Sequence, residues 1–314
     1  MPKNRFGGLN MKDKKVLIGY TFVILSGILF GSMPLMADYI YSEGVNSLSL
    51  VFWRNILSIP ILGVLAYFQT GSLKINPKAL PSITFVGMSG CCITPFLLFS
   101  SYNYIASGTA TVFHFIYPAM VVVGGVLFFK QKVSLGSLLS VISCIAGICM
   151  FYNPGEPLDL TGSALALLSG IAYTAYILLL SKFKYKEISG FLFSFYISLI
   201  STAALLVICL VSGQLTFPQT FGGWGMCVLF ALAVNVGAVV LFQRGTFYID
   251  AQRAAILSTT EPITSIFLGA LFLNEKIGLR TGIGSFLVLL ASVLIAVFDI
   301  NKSKKAKKDE AAQA

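Results

Sequence analysis

The sequence predicts an all-α polytopic membrane protein with ten transmembrane helices, arranged as two inverted repeats of five helices. Hydrophobic residues make up 56% of the 314 and charged residues only 11%, whereas about a quarter of a soluble domain is charged. Ten apolar stretches are each long enough to cross a bilayer, which takes about 20 residues. Two of these stretches carry a proline at the same internal place, Pro118 and Pro262. These three observations define the fold class.

The ten predicted spans are joined by short connections, so no soluble domain is inserted between them. The first repeat is predicted over 16–152 and the second over 153–299. The basic segment 1–15 has no small-residue cleavage site after it, and is interpreted as a retained cytoplasmic tail rather than a signal peptide. The lysine-rich segment 300–314 is predicted to be a disordered cytoplasmic tail. Spans 1 to 10 are 16–39, 48–68, 80–101, 107–129, 134–152, 160–181, 190–212, 221–243, 252–273 and 279–298.

The basic residues determine the predicted orientation. With the N-terminus inside, all but three of the 22 lysines and arginines fall on the inner side or in the two tails. The exceptions are Lys276 and Arg280 outside and Arg54 within span 2. Because cytoplasmic loops carry an excess of lysine and arginine, both termini are placed inside, in a multi-pass protein of the plasma membrane.

Several function classes are excluded by composition. The net charge of +10 could indicate nucleic acid, but the cations form short clusters between apolar runs, so no nucleic-acid partner is predicted. The six cysteines all lie within apolar runs and are interpreted as packing residues. Proteolysis in the membrane needs two aspartates within spans and a zinc site needs several histidines. The chain has one histidine and no mid-span aspartate, so no enzyme, metal or cofactor is predicted.

The two halves of the chain match at a constant offset. Pro118 and Pro262 are 144 residues apart, as are Lys132 and Lys276, and Ser26 matches Ser169 at 143. The alternative is chance matching among apolar helices, but the coincidence of prolines and loop flanks favours a repeat. Since each copy has five spans, the second enters from the opposite face. Such inverted pairs occur in many secondary transporters, which bind their solutes near the middle of the bilayer.

Spans 4 and 9 carry the predicted functional site. Each proline removes a helical hydrogen bond and frees the carbonyl four residues back, at His114 in span 4 and Ser258 in span 9. Free acceptors at this depth are tolerated against protein or a water-filled cavity. His114 shares a helix face with Tyr117, and Ser258 shares one with Glu261. The sequence therefore predicts a cavity at the repeat interface that contains these four side chains.

Two interpretations of Glu261 stay open. A carboxyl group within hydrocarbon costs at least about 2.5–3.5 kcal/mol, so such a residue is a functional hypothesis by default. It would then be a proton carrier or a cation-binding carboxylate. The alternative is a structural carboxyl group bonded to a neighbouring helix. His114 is likewise either a titratable group of the site or a packing histidine, and Tyr117 is the positional partner of Glu261.

Weaker candidates lie on other spans. Arg54 is close to the outer end of span 2, where it binds an anionic group, pairs with Asp38 or Glu43, or snorkels to the interface. Asn235 on span 8 is a modest candidate for contact with solute. Small residues, such as those of Gly27-x-x-x-Gly31, permit close helix packing. An aromatic wall for a cationic amine could come from Trp53, Tyr173, Tyr176 and Tyr196.

The strongest resemblance to a known family is carried by span 9. Thr260-Glu261-Pro262, followed by an apolar run that ends in Leu273-Asn274-Glu275-Lys276, resembles the EamA repeat of the drug/metabolite transporter superfamily. Asn274 replaces the glycine usual there, and the first copy lacks both acidic residues. Arg54 after Phe52-Trp53 is similar to an arginine that these proteins often carry on the second helix.

The resemblance covers residues 16–299 and implies a ten-helix basket. Spans 1–4 and 6–9 would surround a central cavity, with spans 5 and 10 to the side. Members of the family move small metabolites, amino acids or toxic compounds, often by proton-coupled export. Because Glu261 belongs to a feature widespread in the family, its presence does not identify the solute. His114 lies outside the common pattern and is the better candidate for an individual feature.

The sequence thus predicts a secondary active transporter of a small organic metabolite such as an amino acid or amine, working by alternating access in the lipid bilayer. Export is the first interpretation, and H⁺ is the candidate coupling ion. One alternative is an exchanger of anionic or nucleotide-linked metabolites. Another, of a different class, is a passive channel or a membrane scaffold that transports nothing. The solute and the oligomeric state are left open by the sequence.

Overall fold

The computed structural model describes residues 11–130, 135–150, 159–182, 188–249, 257–291 and 293–294, and regular structure within these ranges is entirely helical. The tail 300–314 and most of the segment 1–15 lie outside the described residues. The α-helices are α1 (Met11–Gly31), α2 (Met33–Ser42), α3 (Ser47–Thr70), α4 (Leu80–Gly87), α5 (Thr94–Ser101), α6 (Ser107–His114), α7 (Tyr117–Phe129), α8 (Leu135–Cys149), α9 (Leu160–Lys182), α10 (Gly190–Ser212), α11 (Phe221–Phe230), α12 (Val239–Tyr248), α13 (Thr260–Phe272) and α14 (Leu279–Ala291).

These helices account for the ten predicted spans. Within the described ranges, seven helical runs are long and apolar enough to cross a membrane, and shorter apolar helices lie where spans 5, 9 and 10 are predicted. The large apolar side chains that point away from the protein suit a lipid environment: Phe68, Val211 and Phe286 are each more than 60% exposed. The prediction of an all-α polytopic membrane protein is confirmed.

Spans 3 and 8 contain a wider helical turn at the same place in each repeat. Met88–Ile93 joins α4 to α5 as a π-helix, and Ala231–Ala238 joins α11 to α12 in the same way. The two segments begin 143 residues apart (231 − 88), which is the offset of the repeat in its first half. Such segments appear mostly as single-turn bulges within α-helices, and frequently at functional sites. The sequence analysis did not predict them.

Spans 4 and 9 are broken at their prolines, as the sequence predicts. In span 4, α6 ends at His114 and α7 begins at Tyr117, so Phe115 lies in the break. In span 9, Thr259 lies in a turn immediately before α13. These two break residues are 144 apart (259 − 115). Pro118 and Pro262 each fall in the first turn of the helix that follows, where the missing N–H leaves no intrahelical bond unmade.

A glycine of each repeat packs against the broken helix of the other. A Cβ atom added to Gly27 in span 1 would lie 3.0 Å from Thr260 Cβ and 3.3 Å from the amide nitrogen of Glu261. One added to Gly170 in span 6 would lie 2.7 Å from the carbonyl oxygen of His114. The position of a Gly170 Cβ atom is also 2.7 Å from Ile116 Cγ2. Because Gly27 and Gly170 are equivalent under the repeat, as are Thr260 and Ile116, each repeat packs a glycine against the break of the other.

Spans 5 and 10 pair with each other through equivalent positions. The hydroxyl of Ser143 donates to the carbonyl of Leu287 at 2.8 Å, and these residues are 144 apart. Nearby, the position of a Gly147 Cβ atom is only 2.7 Å from the carbonyl oxygen of Gly284. A contact between equivalent residues is expected where two inverted copies meet at their two-fold axis.

Candidate functional site

A cavity lies between the two repeats, at the level of the proline breaks. The centre of a water molecule can occupy about 120 Å³ of it, and since one water needs about 10–15 Å³, there is room for several. Its lining residues come from spans 1, 2, 3, 4, 6 and 9. No described residue of spans 5 and 10 is among them, and none of spans 7 and 8, which the resemblance also places around the cavity. The charged and polar side chains of the lining are Arg54, Thr94, His114, Tyr117, Tyr173 and Glu261.

Glu261 lies in the first turn of α13, directly after the break in span 9. Its amide nitrogen donates to the carbonyl of Ser258 at 3.0 Å, so the acceptor that Pro262 frees is used within the break. The Glu261 side chain lines the cavity and forms no hydrogen bond or ion pair with any residue that the structure describes. The start of a helix is favourable for a carboxylate, because the helix dipole is positive there.

The ring of His114 is held by a serine of the other repeat. His114 Nδ1 is 2.9 Å from Ser169 Oγ, and that hydroxyl donates to the carbonyl of Ala166 at 2.6 Å. Since a hydroxyl has a single hydrogen, we assign the Nδ1–H tautomer, in which Nδ1 donates to Ser169. The ring is 6% exposed and lines the cavity. In this tautomer Nε2 carries a lone pair.

Aromatic rings surround His114. Tyr117 and Tyr173 have ring centroids 5.6 and 5.4 Å from that of His114, and they meet each other edge to face at 4.8 Å. Tyr176 stacks on Tyr173 at 5.4 Å and lies over Gly90 of the π-helix in span 3, where a side chain would collide with its ring. The absence of a side chain at Gly90, in the π-helix of span 3, thus leaves room for the ring of Tyr176.

Arg54 faces the same cavity, and the structure corrects two of the alternatives predicted for it. Glu43 instead accepts hydrogen bonds from the amide and hydroxyl of Thr220. Within the described residues, Arg54 forms an ion pair with neither Asp38 nor Glu43. Its guanidinium lies over the ring of Phe99 at 5.6 Å, and its Nε atom is buried without a hydrogen-bond partner. Arg54 therefore points into the protein rather than snorkelling to the interface.

Three predicted site residues, Ser258, Trp53 and Asn235, are not among the residues that line the cavity. Trp53 packs against Phe217 and Trp224, with ring centroids 5.3 and 4.8 Å away, and its indole donates to the carbonyl of Thr216 at 2.9 Å. Asn235, in the π-helix of span 8, donates to the carbonyl of Arg54 at 2.9 Å. Asn235 therefore holds the backbone of Arg54 in place from span 8.

Two further carboxylates join the repeats at the predicted outer end, and we call them the carboxylate clasps. Glu275, after α13, accepts hydrogen bonds from the amide and hydroxyl of Ser107, both at 2.6 Å, and from the amide of Gly108 at 3.1 Å. It thereby caps the first turn of α6. Glu43 accepts from the amide and hydroxyl of Thr220, at 3.1 and 2.8 Å, before α11. Sequence reasoning missed both roles; the available signal was a carboxylate just beyond a span.

Comparison with known proteins identifies the family. The profile of the EamA-like transporter family matches residues 17–153 and 160–297, one copy in each half. The chain belongs to this family. Its relatives include an uncharacterized transporter, YcbK, of Bacillus subtilis, 24% identical over 95% of this chain and 98% of the relative. An uncharacterized transporter of Archaeoglobus fulgidus is 27% identical over 88% of this chain and 96% of its own.

A more distant likeness concerns the fold alone. A solved crystal structure superposes with a TM-score of 0.62 at 14% identity, over 91% of this chain and 97% of the other. Membership of the EamA family and the relatives named as transporters make the chain a multi-pass membrane transporter rather than an enzyme. The predicted arrangement of two inverted repeats is confirmed by membership of the family, whose profile matches once in each half.

Proposed function

We propose that this protein is a secondary active transporter that moves a small organic metabolite, such as an amino acid or amine, across the cell membrane by alternating access. The observation that carries the proposal is the carboxyl group of Glu261, which faces a cavity between two inverted repeats without a partner among the described residues. A carboxyl group at mid-span is energetically costly, so its presence there supports a functional role. Sites of this class lie where the repeats meet.

Proton coupling is the second part of the proposal. Glu261, His114 and two tyrosines share one cavity with Arg54, and Glu261 is the group among them that can exchange a proton with the solvent when the cavity opens to one side. His114 and Tyr117 face the carboxylate from span 4, and Tyr173 faces it from span 6. Alternate exposure of this carboxyl group would link proton flow to solute movement.

The orientation that we propose rests on charge. The cation excess of the predicted inner loops and tails supports cytoplasmic termini, in a protein that we propose to lie in the plasma membrane. Export in exchange for entering protons is the direction we propose; an inward proton gradient would drive it. The lipid bilayer and a small solute are the partners of this cycle.

The test uses purified protein in liposomes. We expect an imposed pH gradient to drive the flux of a labelled amino acid or amine, and Glu261→Gln to abolish this flux while the variant still inserts and purifies as the wild type does. Undiminished gradient-driven flux through Glu261→Gln would overturn the coupling role. Counterflow, in which unlabelled solute on one side accelerates entry of labelled solute from the other, distinguishes a carrier from a passive channel or a scaffold.

Exchange of anionic or nucleotide-linked metabolites is the less favoured alternative. Such solutes carry two or more negative charges and need several cations, whereas Arg54 is the one cation among the described residues that line the cavity. The carboxylate of Glu261 would repel them. Flux of nucleotide-linked sugars through the reconstituted protein, unaffected by Glu261→Gln, would favour this alternative.

A further inference from the structure

A second cavity opens on the outer surface of the helix bundle, between spans 2 and 7. The centre of a water-sized molecule can occupy about 470 Å³ of it, against about 120 Å³ for the central cavity. It lies along the second half of α3 and beside the start of α10, towards the predicted inner side of the membrane. We call it the span 2–7 groove. Its lining residues on α3 are Ile59, Pro60, Gly63, Val64, Tyr67 and Phe68.

A glycine forms the floor of the span 2–7 groove. The lining residues of α3 recur at helical spacing and therefore form one stripe, which extends over nine helical steps (68 − 59), or about 14 Å. A Cβ atom at Gly63 would lie 3.1 Å from Phe195 Cε2, so the ring of Phe195 from span 7 packs against bare backbone. Along the same stripe, Val64, Tyr67 and Phe68 are 54%, 56% and 82% exposed. The groove is thus a deep apolar channel open to the bilayer.

The residues that form the groove are not repeated in the other half of the chain. At the offset of 143, Pro60 corresponds to Ala203 and Gly63 to Leu206. A leucine side chain would fill the space that Gly63 leaves open. The groove is therefore not a by-product of the helix packing that the two repeats share.

Basic residues lie at the inner end of the groove. Leu73 lines the groove, and its carbonyl accepts a hydrogen bond from the hydroxyl of Tyr196 on span 7 at 2.8 Å. Lys74 follows directly, and both Lys74 and Lys78 are exposed. Neither forms an ion pair with a described residue, and the sequence has no acidic residue over 44–155. The mouth of the groove therefore has positive charge that no described carboxylate neutralises.

We propose that the span 2–7 groove binds an anionic phospholipid of the inner leaflet, with one acyl chain in the groove and the phosphate at Lys74. Basic pockets between spans at the cytoplasmic side are suited to anionic headgroups, and the apolar stripe gains from covering by a chain. A polar metabolite would find a single side-chain hydroxyl, that of Tyr67, in the lining. Because spans 2 and 7 belong to different repeats, the bound lipid contacts both halves of the protein.

The test compares two lipids with the same acyl chains and different headgroup charges. Dioleoylphosphatidylglycerol or dioleoylphosphatidylcholine is added to the detergent-purified protein, and bound lipid is counted by native mass spectrometry. We expect the first phosphatidylglycerol to bind about 5- to 30-fold more tightly than phosphatidylcholine, the effect of one or two lysines near the headgroup, and to raise Tm. Glycerol 3-phosphate, which has the phosphate without the chains, should leave Tm unchanged at the same concentration.

Two variants locate the lipid, each with a matched control. Val64→Trp fills the groove and should weaken binding of the first phosphatidylglycerol about 10-fold. Val207→Trp, at the equivalent position of the other repeat and 60% exposed, should not. Lys74→Gln should reduce the preference for phosphatidylglycerol about 5-fold, whereas Lys15→Gln, at an exposed lysine of span 1, should leave it unchanged. Because Lys74 is exposed, its variant keeps the test available if Val64→Trp does not fold.

Three results would overturn the proposal. Equal binding of the two lipids to the wild type would mean that the groove holds ordinary surrounding lipid only. Binding unchanged by Val64→Trp, or a preference unchanged by Lys74→Gln, would place the chain or the phosphate elsewhere. Stabilisation by glycerol 3-phosphate as strong as that by phosphatidylglycerol would indicate a phosphate site without a lipid. None of these measurements uses flux, so lipid binding and the proposed transport function are tested separately.

Discussion

Replacing Gly31 by alanine tests how closely span 1 determines the position of the Glu261 helix. A Cβ atom at Gly31 would lie 2.5 Å from the carbonyl oxygen of Glu261 and 2.5 Å from Thr264 Cβ. Ordinary contact begins near 3.4 Å, so the two helices must separate locally by about 0.9 Å. The first turn of α13 belongs to the site, and Glu261 must move with it.

Two opposing effects set the size of the change. Overpacking of a tight contact costs about 1–3 kcal/mol, whereas alanine is better than glycine in a helix by up to about 1 kcal/mol. We expect Gly31→Ala to lower the free energy of unfolding by about 1–2 kcal/mol and to reduce gradient-driven solute flux. Thermal unfolding in detergent measures the first effect, and flux into liposomes measures the second.

Gly225 provides the matched control. It lies inside α11, and a Cβ atom there would meet no atom within 4 Å. Gly225→Ala should therefore gain the helical preference of alanine without overpacking, and should leave flux unchanged. Equal unfolding temperatures and equal flux for the two variants would refute the idea that span 1 positions the Glu261 helix through this contact.

Two further substitutions test other contacts of the site. Glu275→Ala removes the acceptor of two amides and a hydroxyl at the start of α6. It should lower the free energy of unfolding by about 2–3 kcal/mol, and Glu275→Gln should lower it less. A Tm of Glu275→Ala equal to that of the wild type would contradict the capping role. Ser169→Ala removes the partner of His114 Nδ1. It should lower the free energy of unfolding by about 1–2 kcal/mol and weaken solute binding. Ser212→Ala, at an exposed helix end, should change neither the unfolding temperature nor solute binding.

Much of this architecture can be predicted from the sequence because a bilayer imposes simple constraints. Span length follows from membrane thickness, so all ten spans were identifiable. The breaks before Pro118 and Pro262 were predictable because proline cannot donate within a helix. The register of 144 residues was sufficient to place His114 and Glu261 on equivalent helices, and the structure brings both to one cavity.

The features that escaped prediction depend on contacts between residues far apart in the chain. The π-helix of span 8 has no proline beside it, whereas that of span 3 is followed at once by Pro95, a signal that went unused. The wide turn of span 3 is explained by Tyr176, which packs over Gly90. The backbone of Arg54 is held by Asn235 of the other repeat, 181 positions away, and its guanidinium lies over Phe99 of span 3. Trp53, the neighbour of Arg54 in the sequence, packs against Phe217 and Trp224 rather than lining the cavity. Hydropathy and periodicity contain no information about such partners.

The carboxylate clasps bear on the balance between the two end states of the cycle. A carrier made of two identical inverted halves has inward-open and outward-open states of equal energy, because turning the molecule over converts one into the other. Any bias must come from residues that the halves do not share. The clasp at Glu275 is such a feature, since the residue 144 positions earlier is the neutral Gln131. Five hydrogen bonds to Glu43 and Glu275 thus oppose separation of the two repeats at the predicted outer end. On the predicted orientation, these two side chains, well outside the cavity, favour the state that faces the cytoplasm.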